Sequence, residues 1–111
     1  MNRADTEAYI LSLPGAKLSY PFGKEVAVYK VPVGTIDKMF ALMPEKSIPV
    51  QLSLKCDPQL AEILREKYVS VMPGYHLNKK HWNTLVLGGD ELPPDEVIGL
   101  ILHSYNLVTG N

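Results

Sequence analysis

At 111 residues the chain falls within the roughly 100 to 150 residues of a typical domain, so one domain spanning residues 1–111 is expected and a multidomain reading is disfavoured. Its composition, 46% apolar and 21% charged, is that of an ordinary folded protein, and no stretch approaches the ~20 apolar residues of a bilayer-spanning helix. A formal net charge of −1 removes whole-molecule attraction to nucleic acid, so any polyanion site has to be local.

The first predicted element is a helix from about Arg3 to Ser12. Asn2 is its expected N-cap, with Asp5 three positions on, and Ala4, Ala8, Leu11 and Tyr9 are expected on its apolar stripe before Leu13-Pro14-Gly15 ends it. From Ala16 to Lys55 the texture changes to short β-branched and aromatic runs separated by Pro21-Phe22-Gly23, Val33-Gly34-Thr35 and Pro44-Glu45-Lys46. That punctuation predicts antiparallel strands at Val26–Val31, Asp37–Leu42 and Val50–Lys55, with a weaker one around Ala16–Tyr20. In the clearest of these, Val50, Leu52 and Leu54 are expected on a buried face, and Gln51, Ser53 and Lys55 on a wet one.

Asp57-Pro58 supplies an N-cap acid and a first-turn proline for the helix QLAEILREKY, with Leu60, Ile63, Leu64 and Tyr68 expected on its inner side. Short strands are predicted at Val69–Met72 and Trp82–Leu87. Pro93-Pro94-Asp95-Glu96 then opens a long helix whose Val97, Ile101, Tyr105 and Val108 recur at helical spacing, so it should lie across the sheet. The order α-β(3-4)-α-β(1-2)-α does not alternate strands with crossover helices. It predicts a two-layer α+β domain, helices packed on an antiparallel sheet. The lone Cys56 has no intramolecular partner, and the opening MNRADTEAYILSLPG has two acids and no apolar run of signal-peptide length. Both point to the cytoplasm.

Charge is segregated along the chain. Between Glu66 and Asp90 there is no carboxylate, while Lys67, Lys79 and Lys80 fall in that window together with His76 and His81. Within it, Pro73 to Asn83 combines a turn, two aromatics, two imidazoles, two ammonium groups and two amides. On a nucleic acid, Lys79 and Lys80 would neutralise phosphates, Asn78 or Asn83 would hydrogen-bond a base edge or phosphate, and Tyr75 or Trp82 would stack on an unpaired base. The competing reading is structural: basic pairs at strand starts are mostly solvated surface, Trp82 suits a core, and Pro-Gly is a turn.

His76 and His81 fall short of the three protein ligands of a catalytic zinc site, so no metal is expected. His103 and Ser104 are helix neighbours that point apart, which excludes them as a base and nucleophile pair. Cys56 precedes a helix N-terminus that would favour a thiolate, yet a lone cysteine usually behaves as a small buried hydrophobe. No phosphate loop, dinucleotide fingerprint or paired-acid motif is present, so neither enzyme activity nor a cofactor is expected.

The series Leu13-Pro14-Gly15, Pro21-Phe22-Gly23, Lys38 to Leu42, Leu54 to Pro58, Pro73 to Trp82 and Ser104-Tyr105 resembles the MmcQ/YjbR-like family of small bacterial proteins, in order along nearly the whole chain. PGYHLNKKHW is its most specific element. The resemblance implies a compact CyaY-like or secretion-chaperone-like domain and, through a "double wing" analogy of fold, DNA binding. It brings no catalytic motif. The resulting expectation is a monomeric, non-enzymatic DNA-binding protein of low affinity. Its contacts would be Lys79, Lys80, His81, Asn78, Tyr75, His76 and Lys55, chosen from local charge. The alternative is a module that binds a protein or peptide through an apolar sheet patch or a strand edge. A small-molecule pocket roofed by Tyr75, His76 and Trp82 is a third reading.

Overall fold

The computed structural model describes residues 1–74 and 77–110. Its elements are α1 (Arg3–Ser12), β1 (Lys17–Ser19), β2 (Val26–Val33), β3 (Ile36–Pro44), β4 (Gln51–Lys55), α2 (Pro58–Lys67), β5 (Val71–Pro73), β6 (Trp82–Val86) and α3 (Pro94–Thr109). The strands form one six-stranded sheet in the order β1-β2-β3-β4-β6-β5, and every pairing is antiparallel. The fold is therefore α+β, as the pattern of elements predicts.

Helix ends follow local chemistry. The Asn2 side chain accepts from the Asp5 amide at 2.8 Å, and Asp57 Oδ2 accepts from the Gln59 and Leu60 amides, both at 3.1 Å, which satisfies donors that the first helical turn leaves orphaned. Pro94 opens α3 where no N–H partner is needed, and Gly110 ends it in the left-handed conformation at φ 80°.

The elements depart from expectation in four places. In α1 the buried side chains are Thr6 and Ile10, while Ala4, Ala8 and Leu11 face solvent. Thr6 is accommodated in the interior because its hydroxyl donates to Asn2 O at 2.7 Å. In α2, Ala61 and Leu64 are buried but Ile63 is 58% exposed. In β4, Ser53 is buried along with Leu52 and Leu54, since the expected wet face is itself covered in part. Val69 stands outside β5 and is exposed.

A β-bulge organises the core. Tyr29 pairs with Ala41 and Lys30 with Met39, leaving Phe40 as an extra residue on β3. The bulge allows two consecutive side chains, Phe40 and Ala41, to enter the same core, where strict alternation would send one to each face. Phe40 meets Tyr105 of α3 edge to face, with ring centroids 5.4 Å apart, and its full burial contributes roughly 1.5–3 kcal/mol. Between bulged β3 and β4 stands Ser104. Its hydroxyl donates to Phe40 O at 2.6 Å and accepts from the Lys55 amide at 2.9 Å.

This main core is closed by Ile10 from α1, Ala61 and Leu64 from α2, and the inner side of α3, which lies over β2, β3 and β4. A smaller apolar cluster of Val28, Leu42 and Trp82 forms elsewhere. Val28 and Leu42 are paired across β2 and β3, one position from the core pair Tyr29 and Ala41. They consequently point to the helix-free face of the sheet.

Candidate nucleic-acid interface

The basic segment connects β5 to β6, and three sets of contacts fix its described part. At its entry, the Gly74 amide donates to Trp82 O at 2.8 Å. A Cβ on Gly74 would sit 2.7 Å from Trp82 Cβ and 3.1 Å from Trp82 O, so only glycine permits this approach. At its tip, the His81 amide donates to Asn78 O at 3.1 Å, closing a turn, while Asn78 Oδ1 accepts from the Lys80 amide at 3.0 Å. This side-chain bond two residues forward is the usual way an asparagine stabilises a turn. At its exit, His81 O accepts from the Cys56 amide at 2.8 Å, extending the pairing of β4 with β6 by one residue.

The turn is also held from below. Arg65, in the last part of α2, donates through Nε to Asn83 Oδ1 at 2.7 Å, and one terminal nitrogen donates to Lys79 O and, at 3.2 Å, to Trp82 O. A planar guanidinium suits this role because its donors diverge in a fixed fork. Arg65 is absent from the sequence-derived site. Its only sequence signal is a basic residue near a helix C-terminus, which says nothing about a loop 14 residues away.

The result is a turn with Lys79 and Lys80 at its two central positions, both exposed. Among the described residues the ion pairs are Arg3 with Glu45 and Lys17 with Asp37, so neither ammonium of the turn is neutralised by an acid of the fold. His81 is half-buried. Together with Lys55, Asp57 and Leu107 it lines a shallow cleft of about 270 Å³. Lys55 is paired in register with Trp82, so the sheet brings Lys55 and His81 to one place, and the turn that carries the paired lysines leads directly into it.

Other expected contacts are placed differently. Trp82 is buried in the smaller apolar cluster, which makes it a packing residue and not a stacking platform. Asn83 is 2% exposed, and its amide is spent on Arg65 and on Ala61 O. Asn78 keeps its side-chain NH2, its oxygen being engaged by the turn. The assignments to Tyr75 and His76 lie outside the described residues.

Nearby groups with reactive potential have structural duties. The buried Cys56 thiol is pushed up to about 11 by burial, reinforced by the Asp57 charge, so it remains protonated at neutral pH. His103 Nε2 accepts from the Asp57 amide at 3.2 Å, a geometry that requires its lone pair. Among the described residues no group of three or more His, Cys, Asp or Glu side chains is placed to hold a metal ion, and no helix is long and apolar enough to cross a membrane.

Similarity to other proteins covers this entire framework. Residues 11–107 match the family described as YjbR. YbdF of Escherichia coli O157:H7 is 40% identical over 99 residues, which cover 88% of this chain and 76% of that protein. YjbR of Escherichia coli K12 is 37% identical over 97 residues, or 87% of this chain and 78% of that one. Both relatives are described as uncharacterized. The crystal structure of DR2400 from Deinococcus radiodurans superposes with a TM-score of 0.89 at 40% identity, covering 96% of this chain and 77% of that one. With the match spanning all but the first ten and last four of its residues, the chain belongs to the YjbR family.

Proposed function

We propose that the protein is a cytoplasmic, non-enzymatic DNA-binding protein of low affinity that grips phosphates through the turn between β5 and β6. The observation that carries this reading is the pair Lys79 and Lys80, exposed at the centre of a turn braced by Arg65 and Asn78 and free of any acidic partner among the described residues. Lys55 and His81 line the adjoining cleft, where the Asp57 carboxylate is engaged by the Gln59 and Leu60 amides, and Lys55 supplies the third phosphate contact. A phosphate brought to the turn meets two ammonium groups whose backbone is already held by hydrogen bonds, so the ordering cost of binding falls mainly on the lysine side chains rather than on the backbone. The resemblance to a double-wing arrangement supports the same reading by analogy of fold. A buried free thiol, Cys56, suits a reducing compartment.

Three neutralised phosphates give a salt dependence with a log–log slope of about −2.7 and a dissociation constant in the ~10⁻⁴ to 10⁻⁶ M range of non-specific association. Fluorescence anisotropy titrations of a labelled duplex at several salt concentrations test this. The Lys79→Ala/Lys80→Ala double variant is expected to bind more weakly and to lose about 1.8 from the magnitude of the slope. An affinity and slope equal to those of the parent would remove the turn from the interface.

A further inference from the structure

The helix-free face of the sheet carries a cleft of about 370 Å³, within the roughly 300 to 1,000 Å³ of small-molecule sites. Its walls are apolar, formed by Val26 of β2, Leu42 of β3, and Phe22 and Leu77 from the flanking loops. Gln51, Ser53 and Thr84 supply its polar groups. The Ser53 and Thr84 hydroxyls share a hydrogen bond of 2.8 Å, and the Gln51 side-chain amide makes none among the described residues. None of the described lining residues is charged, so the groups they present to a ligand are neutral, with both donors and acceptors among them.

Two features narrow the class further. Phe22 sits in a turn closed by the Gly23 amide donating to Tyr20 O at 3.2 Å. Pro21 precedes it and Gly23 follows at φ +104°, so the backbone that presents the ring is constrained. The ring is 67% exposed, an aromatic face left open to solvent at the mouth of an apolar cleft. On the other side Leu77 packs against Val28, Leu42 and Trp82 and lies two residues from Lys79, so the Cα atoms of Leu77 and Lys79 are at most about 7 Å apart. A neutral recess with an aromatic rim thus adjoins unneutralised ammonium groups.

We infer that this cleft takes one unstacked nucleobase, from either a single-stranded nucleic acid or a free nucleotide. The base would lie against Phe22 and the apolar walls, its edge on Gln51 and the hydroxyl pair, with the attached phosphate directed to Lys79 and Lys80. Stacking on an aromatic ring beside a basic surface is how many proteins hold single strands. Charge complementarity supports this occupant over an apolar peptide, for which adjoining lysines have no use. The inference rests on the proposed phosphate contacts but adds a separate site.

The test compares binding of labelled oligothymidylate, the same strand with abasic residues, and a duplex to the parent protein and to Phe22→Ala, Gln51→Ala and Lys79→Ala/Lys80→Ala. Phe22 is exposed, so its replacement leaves the fold intact, which a thermal melt verifies. Phe22→Ala is expected to weaken oligothymidylate binding about five-fold or more, to leave duplex binding unchanged and to abolish the preference for the intact over the abasic strand. The lysine variant is expected to weaken binding to strand and duplex alike. Thymidine monophosphate, added to labelled protein, is expected to shift the Phe22 and Thr84 resonances if free nucleotides enter. Shifts with the strand alone assign the cleft to strands. Parent-like strand binding by both Phe22→Ala and Gln51→Ala, with binding lost in the lysine variant, overturns the cleft while sparing the basic turn. No binding of any nucleic acid by the parent overturns both.

Discussion

One hydroxyl, that of Ser104, joins two strands that would otherwise leave polar backbone groups stranded beside the bulge. Its donor and acceptor bonds to Phe40 O and the Lys55 amide place a helix side chain between β3 and β4, and the residue is fully buried. Ser104→Ala leaves a buried carbonyl and a part-buried amide without partners, at an expected cost of about 2–3 kcal/mol. It should appear as a lower urea midpoint at unchanged slope. In the sequence Ser104 is legible only as a residue beside His103, where their divergence rules out a catalytic pair. Its structural partners lie 49 and 64 positions away, a separation that no local pattern encodes. Phe22 is hidden for a related reason: a Pro-Phe-Gly turn announces a chain reversal, not an aromatic ring at the mouth of a cleft.

At the scale of elements, α2 does more than cover one end of the sheet. Through Arg65 it ties its last turns to the loop that carries Lys79 and Lys80. Replacing Arg65 by alanine removes charge-assisted bonds to a buried amide and to two carbonyls, with an expected loss of about 1.5–3 kcal/mol. Amide hydrogen exchange should rise first at His81, whose proton closes the turn, before β4 or α3 is affected. The ends of the helices were legible because caps and first-turn prolines act locally: Asn2, Asp57 and Pro93-Pro94 fall where they are expected. Which side of α1 and α2 is buried was less so. Helical spacing gives a period but not its phase, and small residues such as Ala61 or a self-satisfied Thr6 can outcompete Ile63 or Leu11 where the neighbouring backbone lies close. The basic character of the β5–β6 connection was read directly from the carboxylate-free window, whereas its bracing required the tertiary fold.

For the whole molecule, alkaline pH is the condition under which buried protonated groups matter. Burial, aided by the hydrogen bond to Glu7, raises Tyr29 well above its ordinary value, and burial raises the Cys56 thiol from 9.0 to about 11. Both groups are neutral when protonated, so the unfolded chain releases their protons before the folded one does. Their contribution is complete below the unfolded values and is lost as pH rises through the folded ones. Unfolding free energy from urea titrations is thus expected to be insensitive to these groups below about pH 9, to fall between about pH 9 and 11 as Cys56 loses its contribution, and to go on falling above about pH 10 through Tyr29. Cys56→Ala should make that fall shallower.

The two outermost strands, β1 and β5, have three residues each. One begins at an exposed Lys17 that pairs with Asp37, and the other ends at Pro73, which has no amide proton to offer. An approaching chain would find only a few backbone groups to pair with at either border, one of them guarded by charge and the other cut short by an imino acid. Neither border of the sheet therefore offers much for rim-to-rim pairing, which leaves the open recess on the sheet face approachable from above rather than by lengthening the sheet.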